Sequence, residues 1–337
     1  MSDVGIGVVG LGFMGRTHAA NAIELGSVEG VCRLAAVCSP GIHTIEDLGA
    51  KDVAGNIDTL DQWPEIATPR VARTYGDLLS GDDVDLVIIC TPTPLHVGMA
   101  IEALEAGKHV LVEKPVALSE REIAPLIEAS ERRPDRHCMP AHVMRFWPGW
   151  TDLAQMILDR HYGGVRSAVF QRLGSTPTWG RGFYDDHARS GGALVDLHIH
   201  DVDFIIHCFG VPRDVHAFGD SSHVTASYTF EGAIPHVTAE ASWNRHPDAG
   251  FLMRFAVEFE NATVEFDSTA KRPLRISDGT APASQSRAHG DGYASQLRAV
   301  VDAIRDNEPT PVGIECAVEA ARVIDRERVL LEATRER

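Results

Sequence analysis

No stretch of this 337-residue chain approaches the ~18 consecutive apolar residues that would span a bilayer. No C-x-x-C pair occurs among its six cysteines, and several, such as Cys90 in Val-Ile-Ile-Cys, sit inside apolar strings. That argues against a disulfide framework or a thiolate zinc site and for buried, reduced thiols. Basic residues are in deficit: 31 Lys+Arg against 48 Asp+Glu leave a net charge of −17, and no Lys/Arg run exceeds two residues. Such an excess repels phosphate backbones and anionic membrane surfaces, so neither nucleic acid nor a membrane is an expected partner. Repeats and low-complexity tails are lacking too, and 44% hydrophobic with 23% charged residues excludes global disorder. The opening Met-Ser-Asp-Val-Gly enters a strand pattern at once, without a charged n-region or cleavage site, so a cytoplasmic protein is expected.

What is present first is alternation. Short buried runs at 4–9, 34–38, 83–90, 109–112 and 137–142 read as strands, separated by helical patterns at 14–26, 96–106 and 119–131. Gly26 and Gly107 serve as helix stops. Strands joined by helices require crossover connections, hence a mostly parallel sheet covered on both faces. The polar segment 41–73, broken by Gly and Pro, fits no clear element. Beyond it the character changes. Alternating runs at 165–173, 215–219, 224–230, 236–243, 251–259 and 262–267 predict a largely antiparallel sheet with one packed face. A Ser/Ala/Gly/Pro-rich loop at 271–292 and closing helices at 293–306 and 314–332 complete the chain. Two domains are expected, 1–122 and 123–337, with the strand near 137–143 joining the first sheet. The fold class is α/β: a Rossmann doubly wound parallel sheet followed by an α+β domain with an open sheet.

Gly10-x-Gly12-x-x-Gly15 follows the first strand and opens the first helix. A glycine triple alone is weak; in this β-α-β setting it points to a dinucleotide pyrophosphate. The first glycine allows the tight turn, the second lets the phosphates approach, and the third lets helix and strand pack. Phe13 and Met14, between the second and third, belong to the same cofactor turn, whose helix N-terminus offers free N–H groups. The second strand ends at Ser39 instead of the acidic residue that accepts ribose hydroxyls about 20 residues on. Ser39 does not repel a 2′-phosphate. Both NAD and NADP are therefore allowed, with a lean to NADP.

Lys114 follows the strand at 109–112, and Pro115 ends that strand. Ligands of open α/β sheets bind outside the carboxyl ends of strands, which sets Lys114 beside the nicotinamide. A second cluster lies on the helical run up to Gly210, where Val195, Ile199, Val202, Ile206 and Phe209 form one apolar face. Asp196, His200, Asp203 and His207 form the adjoining stripe, so Asp196 and His200 stand one turn apart. His200 suits proton transfer near neutrality, and Asp196 can orient it or bind substrate. His198 lies about 200° from Asp196 on a helix, away from the pair, which argues against a metal site.

Several of these residues carry a family resemblance. The glycine turn with His18, Cys90-Thr91-Pro92 with His96, Gly107-Lys108-His109-Val110 leading to Glu113-Lys114-Pro115, and Gly191-Gly192 with Asp196 and His200 resemble the glucose-fructose oxidoreductase / inositol dehydrogenase / rhizopine-catabolism (Gfo/Idh/MocA) family. The resemblance implies a catalytic set of Lys114, Asp196 and His200. It implies cofactor contacts from Thr91, Pro92, His96, Glu113 and Arg145, and a homodimer or homotetramer formed through the second sheet. Ser39 and the segment 41–73 depart from the common pattern. Trp147, just after Arg145, and Trp179, Arg181, Tyr184 and His187 in a Gly-rich loop are candidate substrate contacts. The expected activity is an NAD(P)-dependent oxidoreductase on a sugar, inositol or related polyol. A glycosidase that retains its NAD and a non-catalytic dinucleotide sensor are the alternatives.

Overall fold

Six parallel strands form the first sheet of the computed structural model, which describes residues 3–49, 68–180, 182–232, 236–280, 284–286 and 291–335. They are β1 (Val4–Val9), β2 (Cys32–Cys38), β3 (Arg70–Val71), β4 (Leu86–Ile89), β5 (His109–Val112) and β6 (Cys138–Pro140), in the order β3-β2-β1-β4-β5-β6. Every residue of β1 and β4 is buried, as uninterrupted apolar runs covered on both faces must be. Helices α1 (Phe13–Glu29), α2 (His96–Glu105) and α3 (Glu120–Arg132) make the crossovers. The expected stop at Gly26 is corrected: α1 runs on to a left-handed Gly30. Gly26 is a packing glycine, since a Cβ there would lie 2.5 Å from the Cys32 carbonyl oxygen.

After α4 (Trp150–Leu158), β7 (Val165–Leu173) enters the second sheet, and α5 (Ile199–Phe209) packs beside it. The sheet continues with β8 (Asp214–Gly219), β9 (His223–Thr229), β10 (Val237–Ser242), β11 (Leu252–Phe259), β12 (Thr263–Asp267), β13 (Leu274–Ser277) and β14 (Ser284–Ser286). Its order is β14-β13-β12-β11-β7-β10-β9-β8, antiparallel except where β10 runs parallel to β7. β13 and β14 occupy part of the expected loop. Closing helices α6 (Gly292–Asp306) and α7 (Glu315–Arg335) return to pack on α1 and on α3 and α5, respectively. The core of this half centres on Trp150, whose ring lies 4.9 Å from Phe204 and 5.3 Å from Phe255. Among the described residues no helix is long and apolar enough to cross a membrane.

Candidate active site

At the carboxyl end of β1, Gly10 adopts a φ of +86°, and a Cβ there would lie 2.6 Å from the Cys90 carbonyl oxygen. Gly15 packs still closer, its hypothetical Cβ 1.9 Å from the Gly10 carbonyl oxygen. Above Gly12 the space is open for 4 Å, and no side chain caps the first turn of α1. An uncapped helix N-terminus beneath an open glycine turn fits a pyrophosphate. Ser39 Oγ accepts the Leu11 N–H at 3.1 Å, tying the end of β2 to this turn.

Along the same edge, β5 delivers Glu113 and Lys114. Glu113 is buried, with Oε1 2.8 Å from His18 Nε2 and Oε2 accepting the Lys114 N–H at 3.1 Å. Burial alone would raise its carboxyl pKa, but His18 and then the charge of Lys114 hold it below the usual range. His96, also buried, bridges the carbonyls of Thr91 at 2.6 Å and Pro115 at 2.9 Å. Glu113 and His96 are thus built into the frame and do not line the cleft. Pro92 precedes a short 3₁₀ turn that leads into α2.

The second sheet's half contributes Asp196 and His200. Gly191 and Gly192, both at positive φ, lead into a π-helical turn over Ala193–Leu197, and α5 follows. The expected single α-helix is therefore interrupted at Asp196, a local form common at functional sites. Lys114 Nζ donates to the Asp196 carbonyl at 2.8 Å and to its Oδ1 at 3.0 Å. His200 lines the same cleft, of about 730 Å³, as do Phe13, Met14, Trp147, Trp179 and Tyr184. Burial, then the charges of Lys114 and Arg172, hold its imidazole well below the ordinary histidine range, so His200 is neutral at pH 7.

Two further expected contacts are engaged elsewhere in the structure. Arg145 turns away from the cleft: its Nε and Nη2 grip Asp203 at 2.9 and 2.7 Å, because that buried carboxylate on α5 needs a countercharge. His187 lines a separate hollow of about 380 Å³, with Nδ1 2.8 Å from Ser221 Oγ. Arg181 lies outside the described residues. His198 faces the opposite way from the cleft, 3.1 Å from the Tyr228 hydroxyl and 3.3 Å from Glu327. Arg172 and Tyr293 are among the cleft residues that escaped the sequence reading. Arg172 on β7 donates to Asp201 at 3.1 and 2.9 Å while lining the cleft. Tyr293, at the start of α6, stands edge-on to Trp147 at 5.6 Å.

Burial also lowers the pKa of His142, His207 and His109, the last to about 4. A histidine depressed in the folded state leaves the unfolded chain binding more protons below about 6.5, so stability is full above that pH and is lost as pH falls toward 4. Thermal unfolding at pH 7 and pH 5 is expected to show a Tm lower by about 5 °C or more at pH 5. A Tm that stays level or rises would contradict the neutral histidines.

Two family models cover most of the chain. One, described as an oxidoreductase family with an NAD-binding Rossmann fold, matches residues 4–142, and the GFO/IDH/MocA C-terminal domain matches residues 150–291. An uncharacterized oxidoreductase of Rhizobium meliloti is 29% identical over 277 residues, covering 76% of this chain and 81% of that one. A glycosyl hydrolase family 109 protein of Shewanella putrefaciens is 37% identical over 173 residues, 51% of this chain and 34% of the relative. Among solved structures, UDP-N-acetylglucosamine 3-dehydrogenase from Acidithiobacillus ferrooxidans shares the fold with a TM-score of 0.77 at 23% identity, over 99% of each chain.

Proposed function

This chain belongs to the Gfo/Idh/MocA oxidoreductase family, and from that premise we propose that it interconverts a secondary alcohol and a ketone on a sugar, inositol or related polyol. The observation that carries the proposal is the meeting of Lys114 and Asp196 from separate halves of the molecule, with His200 in the same cleft. The dinucleotide, when bound, supplies the hydride acceptor or donor. Gly10, Gly12 and Gly15 would hold its pyrophosphate, and Phe13, Met14 and Thr91 would flank it. In the oxidative direction the substrate hydroxyl gives its proton to the neutral imidazole of His200. Two contacts with Asp196 aim the Lys114 ammonium, whose remaining N–H stabilises the negative charge developing on the same oxygen. In reduction the proton returns by the same path. Aldoses, inositols and deoxy-sugars, screened with NAD and NADP for absorbance of the reduced nicotinamide, test the reading. A silent panel rejects it.

An NAD-retaining glycosidase is the second reading, supported by the 37% identity to a family 109 protein. Net consumption of free dinucleotide separates the two, because the glycosidase returns its cofactor unchanged. NADP is the preferred dinucleotide, since Ser39 brings no carboxylate against a 2′-phosphate. Ser39→Asp should weaken NADP relative to NAD by at least about tenfold in fluorescence titrations, through like-charge repulsion. An unchanged ratio would remove Ser39 from the adenosine site. The six unpaired cysteines fit the reducing cytoplasm. A second copy of the chain is expected over the open face of the second sheet, where Phe218 is 67% exposed, and sedimentation would read that state.

A further inference from the structure

Besides the cofactor turn at Phe13 and Met14, the cleft carries an apolar floor on the second sheet. Arg172 on β7, near His200, faces Met253 across the ladder to β11, and Met253 in turn exchanges hydrogen bonds with Ser268 just past β12. The lining continues to Phe266 and to Pro273, whose carbonyl accepts the Asp267 N–H at 3.0 Å. With strands about 4.8 Å apart, this floor extends roughly 10 Å from β7, beyond the reach of one pyranose ring. Its surface is fixed. The Phe251 ring lies directly on Gly174, where a Cβ would approach it to 3.1 Å, and Phe266 stacks on Phe255 at 5.4 Å. Trp147, also lining the cleft, is seated on Gly292. Among the described residues both cations of the cleft are already matched, Lys114 by Asp196 and Arg172 by Asp201. Among the described residues a phosphate or carboxylate on the substrate therefore finds only cations that are already paired, whereas an uncharged apolar group finds a preformed pouch.

We propose that the substrate is an uncharged glycoside. Its sugar ring sits at Lys114 and His200, and its aromatic or alkyl aglycone lies over Phe251, Met253 and Phe266. This rests on the reading of the site as a carbohydrate oxidoreductase and narrows its substrate class.

The test compares free, methyl, phenyl and n-hexyl forms of glucose, galactose and N-acetylglucosamine, with their UDP-linked forms, under both dinucleotides. The phenyl and hexyl glycosides are expected to exceed the methyl glycoside in kcat/KM by at least about tenfold. Phe251→Ser and Met253→Ser, both at partly exposed positions, should each shrink that ratio. Equal values for phenyl and methyl glycosides, or a preference for the UDP-linked sugar, would overturn the proposal. Should nothing in the panel turn over, the oxidoreductase reading fails, and tryptophan fluorescence titration with the same glycosides decides the pouch separately. Tighter binding of the phenyl form, weakened by Phe251→Ser, upholds it; equal binding ends it.

Discussion

Replacing Lys114 with Met is expected to lower turnover by about 10²- to 10³-fold while dinucleotide affinity stays close to that of the parent. Met keeps the length and apolar stem of the side chain and removes its N–H donors. Two of those donors are spent on the carbonyl and carboxylate of Asp196, which fixes where the third points. An oxygen in the cleft loses that third contact as its negative charge develops, and this is where a preorganised donor matters most. The side chains of Lys114 and Asp196 are only 15% and 16% exposed, so the lone carboxylate left behind also costs some stability. Steady-state kinetics beside a fluorescence titration separates the effects. Turnover within tenfold of the parent would remove Lys114 from the chemistry.

The convergence of Lys114, Asp196 and His200 was legible because each part has a strong local signature. A strand ending in Glu-Lys-Pro places the lysine, and a period of 3.6 places the aspartate and histidine. The bounds of β1, β5 and β7 were legible for a related reason: runs that bury whole strands or alternate cleanly leave little choice of edge. β13 and the edge strand β14 were missed, as they are held by pairing with β12 and with each other, and their sequence is that of a loop. The π turn at Asp196 was missed too, since a short apolar pattern does not separate a single π turn from an α turn.

Arg172 could have been found. The alternation of β7 puts it on the same face as Ala168 and Phe170, and a charge among buried apolar residues needs a partner. Its partner, Asp201, is likewise a fully buried carboxylate. Tyr293 carries no such signal, because only the return of α6 beside α1 brings it to the cleft. Arg145 was placed by the family resemblance and His187 by its neighbours in a Gly-rich loop. Their side chains are instead claimed by Asp203 and Ser221, through contacts that no spacing encodes.

Two glycines of one turn should fail in opposite ways. Gly12→Val is expected to leave Tm close to the parent while weakening dinucleotide binding by at least about 100-fold, some 2.7 kcal/mol. Gly12 sits at φ −75°, which any residue adopts, and a Cβ there meets nothing within 4 Å. Its cost appears only when an anion must approach the N–H groups at the start of α1. Gly15→Val behaves otherwise. Its Cβ would come within 1.9 Å of the Gly10 carbonyl oxygen, and that atom belongs to backbone fixed between β1 and Cys90. The helix must move away from the sheet, at a cost of about 1–3 kcal/mol or more, so Tm and binding fall together. Thermal melts and NADPH titrations on both variants read the contrast. If Gly12→Val binds dinucleotide like the parent, the open space above Gly12 is not where the pyrophosphate lies.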